Sequence, residues 1–199
     1  MTKNILLTGI GGQGTILASQ LLTLGLMDAG YDVKMSEIHG MSQREGSVLT
    51  HVRFGEKVFS PVVEKGKADI IVGFEELEVL RNIDYLRRDG QGIVVLNLNR
   101  VNPVGVLSGK DKYPQNVEEL VKARAGRLIA FSATEEAIRL GNEKAMNVIL
   151  LGALIHFMGL ENIDWTKIIA QNVKERFVKL NQSALLRGME LAQSRQAEG

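Results

Sequence analysis

Near the N-terminus, Gly9-Ile10-Gly11-Gly12-Gln13-Gly14 places four glycines between an apolar run and a helical pattern. Glycine lets backbone N–H groups converge and lets a bulky anion approach the start of a helix, where the peptide dipoles favour negative charge. The chemistry on offer is anion binding. Gly9, Gly11, Gly12, Gln13, Gly14 and Thr15 are candidates to hold a phosphate-bearing cofactor or a carboxylate. The plain alternative is a tight strand-to-helix turn that needs glycine only for close packing.

A second polar stretch runs from Ser36 to Ser47, with a loop bounded by Gly40 and Gly46. Ligands of open α/β sheets collect in the crevice outside the carboxyl ends of the strands, where both loops are expected to converge. Ser36, Glu37, His39, Gly40, Gln43, Arg44, Gly46 and Ser47 therefore form a candidate ligand or partner interface. Arg44 has the fork geometry to hold a phosphate or carboxylate bidentately. A solvated surface loop is the bland reading. Glu37 also ends the second predicted strand, where a dinucleotide fold places its ribose-binding acid. That keeps a stand-alone NAD(P)-binding oxidoreductase open as an alternative.

The remaining polar residues read as structural. His51 falls in an alternating strand and is expected to be packed, while His156 lies near a helix end that favours positive charge. Glu75 and Glu76 look like helix-start acids, and Asn147, one residue past an apolar face, is placed to cross-link neighbouring segments. No Ser–His–Asp or Cys–His arrangement can be drawn. The chain has no cysteine, so it supplies no disulfide, no thiolate zinc site and no cysteine ligand to an iron–sulfur cluster. Redox chemistry would have to sit on a bound cofactor or on another subunit.

Strand and helix patterns position these loops. Asn4–Thr8 reads as a buried strand, Thr15–Ala29 as a helix apolar nearly all round and thus heavily buried, and Val33–Glu37 as a second strand. Ser47–Phe54 alternates, and Gly55-Glu56 before Lys57-Val58-Phe59 predicts an antiparallel hairpin. The αβ alternation resumes with strands at 69–74, 93–96 and 128–131 and a helix over 75–87; residues 99–116 read as loop with a short strand at Val104–Leu107. From Ser132 onward the chain reads as helices, opened by Ser132 (a capping box with Glu135), Asn142 and Asp164, and ending in a long helix over 173–193. No linker or repeat interrupts residues 1–199, which read as one domain.

Charge and hydropathy narrow the partners. With 24 Lys and Arg against 23 Asp and Glu in 199 residues, net charge is +1, and no basic stripe invites nucleic acid. No apolar run reaches the roughly 18 residues that would span a bilayer, and no signal-peptide pattern is seen. A soluble cytoplasmic protein without nucleic-acid or membrane partners is expected.

Gly9-Ile-Gly-Gly-Gln-Gly14, followed by Ser36-Glu-Ile-His-Gly-Met-Ser-Gln-Arg-Glu-Gly-Ser-Val48, resembles the small subunit of the 2-oxoacid:ferredoxin oxidoreductases. The His-Gly-Met-x-Gln-Arg form is most similar to the beta subunit of the indolepyruvate enzymes. Leu140-Gly-Asn142, Asn147-Val-Ile-Leu-Leu-Gly-Ala153, Asn181-Gln-Ser-Ala184 and Gly188 extend the resemblance over roughly residues 4–190. Glu45 departs from it, standing where a second glycine is expected and setting a negative charge beside Arg44.

The resemblance implies a three-layer α/β/α, Rossmann-like sheet, mostly parallel with an antiparallel hairpin and a helical C-terminal third. It also implies a non-autonomous subunit. A large partner would carry thiamine diphosphate, Mg2+ and 4Fe-4S clusters, coenzyme A would be co-substrate, and electrons would leave through ferredoxin. The glycine loop would meet coenzyme A or the partner chain. A purely structural or regulatory subunit is the third reading.

Overall fold

The computed structural model describes residues 2–40 and 46–197. Its six strands are β1 (Lys3–Ile10), β2 (Asp32–His39), β3 (Ser47–Gly55), β4 (Ile70–Gly73), β5 (Ile93–Asn97) and β6 (Arg127–Phe131). The helices are α1 (Thr15–Asp28), α2 (Glu76–Asn82), α3 (Val104–Leu107), α4 (Val117–Lys122), α5 (Ala133–Arg139), α6 (Met146–Met158), α7 (Trp165–Asn172) and α8 (Glu175–Ala197).

The strands form one sheet in the order β2-β3-β1-β4-β5-β6. β1, β4, β5 and β6 pair in parallel, whereas β3 runs antiparallel to both of its neighbours. Strands buried on both faces carry continuous apolar runs because each face meets a layer of its own. Ile5, Leu7, Ile70, Val72, Val95 and Ile129 pack toward α1, α6, α7 and α8, while Leu6, Ile71, Val94 and Leu96 pack toward α2 and α4. The expected three-layer, mostly parallel architecture with a helical C-terminal third is what the chain adopts.

The antiparallel hairpin is real but lies elsewhere. Residues 57–59 form no strand; β3 pairs instead with β2, from Asp32 opposite Gly55 to His39 opposite Val48. After Gly55 the chain leaves the sheet because side chains claim its backbone. Asp32 Oδ2 accepts the Val58 N–H at 2.8 Å, Arg53 donates to the Ser60 and Val62 carbonyls, and His51 Nδ1 accepts the Val63 N–H at 3.1 Å. The expected β1–α1–β2 unit is therefore split, with β3 between its two strands.

Three further expectations shift. Val104–Leu107 is a short helix rather than a strand. Pro103 sets its first turn at φ −62°, and the Val106 and Leu107 N–H groups return to the Pro103 carbonyl. The 75–87 helix ends at Asn82 and continues as a 3-10 turn over Ile83–Tyr85. Its Asn82 side chain turns inward to donate to Thr8 Oγ1 and the Glu78 carbonyl. Helix α1 buries Ala18, Leu21, Leu22 and Leu26 but leaves Ile16 and Met27 exposed.

The C-terminal helices pack at backbone distance. A Cβ on Gly188 of α8 would fall 1.9 Å from the Ile149 carbonyl oxygen of α6, and one on Gly152 of α6 would fall 2.2 Å from the Leu185 carbonyl oxygen. Glycine on both helices permits an approach closer than side chains allow. The predicted caps are present: Ser132, Asn142 and Asp164 accept the N–H groups of Glu135, Lys144 and Lys167.

Candidate functional site at the carboxyl edge of the sheet

The turn after β1 gets its shape from two left-handed glycines and two braces. Gly12 and Gly14 sit at φ 96° and 82°, conformations that side chains with a Cβ rarely adopt. Gln13 folds back so that its side-chain oxygen accepts the Ile10 N–H at 2.8 Å. Gly14 caps α1 without a side-chain hydrogen bond, and the first turn holds no acid. The N-terminal dipole of a 14-residue helix is thus not offset by a carboxylate of its own.

The second brace comes from α6. Asn147, 3% exposed, donates its side-chain amide to the Gly14 carbonyl at 3.1 Å. The cross-linking role expected for this residue is what it performs. A cleft of about 480 Å3 opens beside the turn, lined by Gly12, Gln13, Gly14, Thr134, Lys144 and Asn147 among others. Lys144 gives the cleft a cation beside the open helix end, and Glu143 tempers it with a negative charge.

Asn97, at the carboxyl end of β5, organises the cleft floor and was not singled out from the sequence. It is fully buried. Its amide donates to the Phe74 carbonyl at 3.1 Å and to Thr134 Oγ1 at 3.2 Å, and its oxygen accepts the Ala133 N–H at 2.9 Å. One side chain thus ties together the ends of β4, β5 and β6. The signal was a lone asparagine closing the apolar run Val94-Val95-Leu96.

The two predicted loops do converge. The Gly11 N–H donates to the Gly46 carbonyl at 2.9 Å, and the Gly40 N–H to the Ser47 carbonyl at 3.0 Å. Gln43 and Arg44 lie outside the described residues. Ser36 stands opposite His51 in the strand register, on the other face of β2 from Glu37. Glu37 accepts the Ser19 hydroxyl of α1 at 3.1 Å and lies 3.5 Å from His39. It is two strands away from the glycine turn and already engaged, so the nicotinamide alternative loses the acid that motivated it.

On the opposite face Glu75 and Glu76 start α2, as expected, and the acids of this helix are buried. Glu75, fully buried, accepts the Tyr113 hydroxyl at 2.7 Å and the Val101 N–H at 3.1 Å. Burial and this carboxylate together push the Tyr113 hydroxyl well above the usual phenol range. Glu76 pairs with Arg100 at 3.1 Å. Glu78, 2% exposed, takes the Ser47 hydroxyl and the Arg81 guanidinium. Glu75, Glu78, Arg81 and Val101 border a cavity of about 260 Å3 walled also by Ile10, Leu77, Pro103 and Leu107.

His51 is packed, as expected: it is 1% exposed, stacks edge-on to Tyr85, and burial pushes its pKa below 6.5. His156 lies 3.0 Å from Glu161 at the end of α6. Among the described residues no cluster of three or more histidines or acids could hold a metal ion, and no helix is long and apolar enough to cross a membrane.

A mostly parallel α/β sheet with a glycine turn and cleft at its carboxyl edge defines a Rossmann-like fold. The chain belongs to the pyruvate ferredoxin/flavodoxin oxidoreductase family, which it matches over residues 4–191. It is 40% identical to indolepyruvate oxidoreductase subunit IorB of Pyrococcus horikoshii, and 39% identical to its Thermococcus kodakarensis counterpart, over 95% of each chain. The resemblance to the small subunits of oxoacid oxidoreductases is thereby borne out. Among solved structures, the 2-oxoglutarate:ferredoxin oxidoreductase of Magnetococcus marinus, a complex with 2-oxoglutarate, coenzyme A and succinyl-CoA, superposes with a TM-score of 0.75 at 17% identity. The match spans 97% of this chain and 31% of that longer one, so the same fold recurs as one part of a larger polypeptide.

Proposed function

We propose that this chain is the small subunit of an indolepyruvate (aryl-2-oxoacid):ferredoxin oxidoreductase, acting in the cytoplasm as part of a hetero-oligomer. In that reaction the 2-oxoacid loses its carboxylate as CO2, two electrons leave for ferredoxin, and the acyl group ends on the sulfur of coenzyme A, whose thiol proton is released. The large partner carries thiamine diphosphate with Mg2+ and the 4Fe-4S clusters. With no cysteine, this chain has no thiolate to ligate a cluster, so its donor set does not fit one.

Coenzyme A fits better. It brings phosphate groups, and the turn offers what such groups need: the uncapped start of α1, open space around Gly12, and Lys144 across the cleft. In this reading Gly12, Gly14 and Thr15 meet the phosphates, while Gly9, Gly11 and Gln13 shape the turn, the Gly11 and Gln13 N–H groups going to the Gly46 and Ile10 carbonyls. Gly40, Gly46, Ser47 and their loop, with Gln43 and Arg44, meet the ligand or the partner. The role of the chain is to bind and orient; nothing in it is assigned a bond-breaking step. The observation that carries the reading is the Gly11–Gly46 hydrogen bond, which joins the two motif loops into one surface.

The test is purification of the tagged chain from anaerobic extract. Recovery of a large, cysteine-rich chain with brown cluster absorbance, and coenzyme A-dependent ferredoxin reduction faster with arylpyruvates than with pyruvate, is the expected result. A chain that comes down alone and colourless would overturn it.

A further inference from the structure

We propose that Glu78 is a positioning residue: through Ser47 and Gly46 it fixes the glycine turn at Gly11. This assignment rests on the reading above only for the identity of what the turn faces.

A buried carboxylate is tolerable when its charge is balanced and its oxygens accept hydrogen bonds. Glu78 meets that condition with two donors of different kinds. Arg81 lies one turn on in the same helix and supplies the balancing charge. Ser47 lies 31 residues away on β3 and supplies no charge. An ion pair that only stabilised α2 would need Arg81 alone; the Ser47 hydroxyl instead fastens the first residue of β3 to that helix.

From there the chain of contacts is short. Ser47 stands opposite Ile10 in the β1–β3 register, its carbonyl accepts the Gly40 N–H, and the adjoining Gly46 carbonyl accepts the Gly11 N–H. Helix α2 is itself fixed. The Glu78 N–H goes to Glu75 Oε2 at 2.9 Å, and Glu75 holds Tyr113 and Val101. The glycine turn is thus braced from both faces of the sheet, by Asn147 on one side and by Glu78 through β3 on the other.

Two measurements test this on Ser47→Ala, Glu78→Ala and Glu78→Gln. The first is amide hydrogen exchange of the full chain, which reports local opening. Exchange at Gly11 and Gly40 is expected to quicken about tenfold or more in both alanine variants, with Val72 and Val95 unchanged. Glu78→Gln, which keeps an acceptor for Ser47, should recover most of the protection. Unchanged exchange at Gly11, or acceleration spread evenly over the sheet, would overturn the proposal. Ser47→Ala alone decides it should Glu78→Ala fail to fold.

The second measurement is coenzyme A-dependent turnover of the complex with its large partner. A rise of about tenfold in KM for coenzyme A at nearly constant kcat is expected. Loosened amides at Gly11 with an unaltered KM would leave the positioning role standing and overturn the coenzyme assignment instead.

Discussion

Asn147 and Gly14 lie 133 residues apart, yet the Asn147 side-chain amide donates to the Gly14 carbonyl at 3.1 Å. Its oxygen accepts the Val148 N–H at 2.8 Å, so both ends of the amide are in use. The spacing is tight: a Cβ on Gly14 would fall 2.4 Å from the Asn147 nitrogen. The helical C-terminal third thereby holds the start of α1.

Replacing Asn147 by leucine removes a donor and an acceptor at a buried site, each worth about 1–3 kcal/mol when its partner is left unsatisfied. Urea denaturation should show a loss of about 2–4 kcal/mol. A loss under about 0.5 kcal/mol would mean that the contact carries no weight.

Gly188→Ala should be among the most damaging small substitutions in the chain. Its Cβ must displace the Ile149 carbonyl of α6, and overpacking typically costs about 1–3 kcal/mol, with backbone clashes at the upper end. Exposed Gly109→Ala is the wrong control, because that residue has φ 74°. Leu186→Ala, on the exposed side of the same helix, should be nearly neutral in the same melt.

The pKa of His51 is lowered by burial, so the folded protein binds its proton less readily than the unfolded chain does. Below about pH 6.5 the unfolded state gains a proton that the native state refuses, and stability falls as pH falls. Above that value the effect vanishes. His51→Gln should flatten the stability profile between pH 7 and pH 5. An unchanged slope would show that other groups govern it.

Lys144→Ala tests the cleft apart from the loops. Loss of its charge beside the open end of α1 should raise KM for coenzyme A about three- to tenfold without hindering co-purification with the large partner, and added salt should shrink the difference. Equal KM values for variant and parent at low salt would move the phosphates elsewhere.

Arg44→Ala separates ligand support from assembly. If Arg44 serves the ligand, the complex forms normally and turnover drops. A purely structural subunit gives the opposite result, with weakened assembly and unchanged coenzyme A affinity in whatever complex forms.

Local chemistry was readable in the sequence where it acts locally. Ser132, Asn142 and Asp164 cap helices through contacts two or three residues away, and the apolar runs of β1, β4 and β5 follow from burial on both faces. The convergence of the two glycine-bounded loops was readable for a similar reason, since strand ends share an edge. The position of β3 was not, because its pairing with β1 joins strands separated by α1 and β2 in the chain. The backbone after Gly55 looked like a hairpin arm until Asp32, Arg53 and His51 claimed it. Glu75 was legible as a helix-start acid, and it caps α2; its bond to Tyr113 and that of Glu78 to Ser47 were not legible, because those partners lie 38 and 31 residues away. Asn97 was missed likewise: its partners at Phe74 and at Ala133 and Thr134 come from two distant segments.

The strand order also sets a schedule. β2 and β3 are separated only by residues 40–46, so their ladder closes a short loop and its entropic penalty is small. β1 precedes β3 and β4 in the chain but pairs with both, so it must wait for residues 47–73. Contacts of longer sequence separation form later and more slowly. The hairpin is then the earliest platform, with β1 added along its free edge and the helices after Ser132 last. The glycine turn after β1 is completed only when Asn147 docks on Gly14, so a half-folded chain presents no finished cleft.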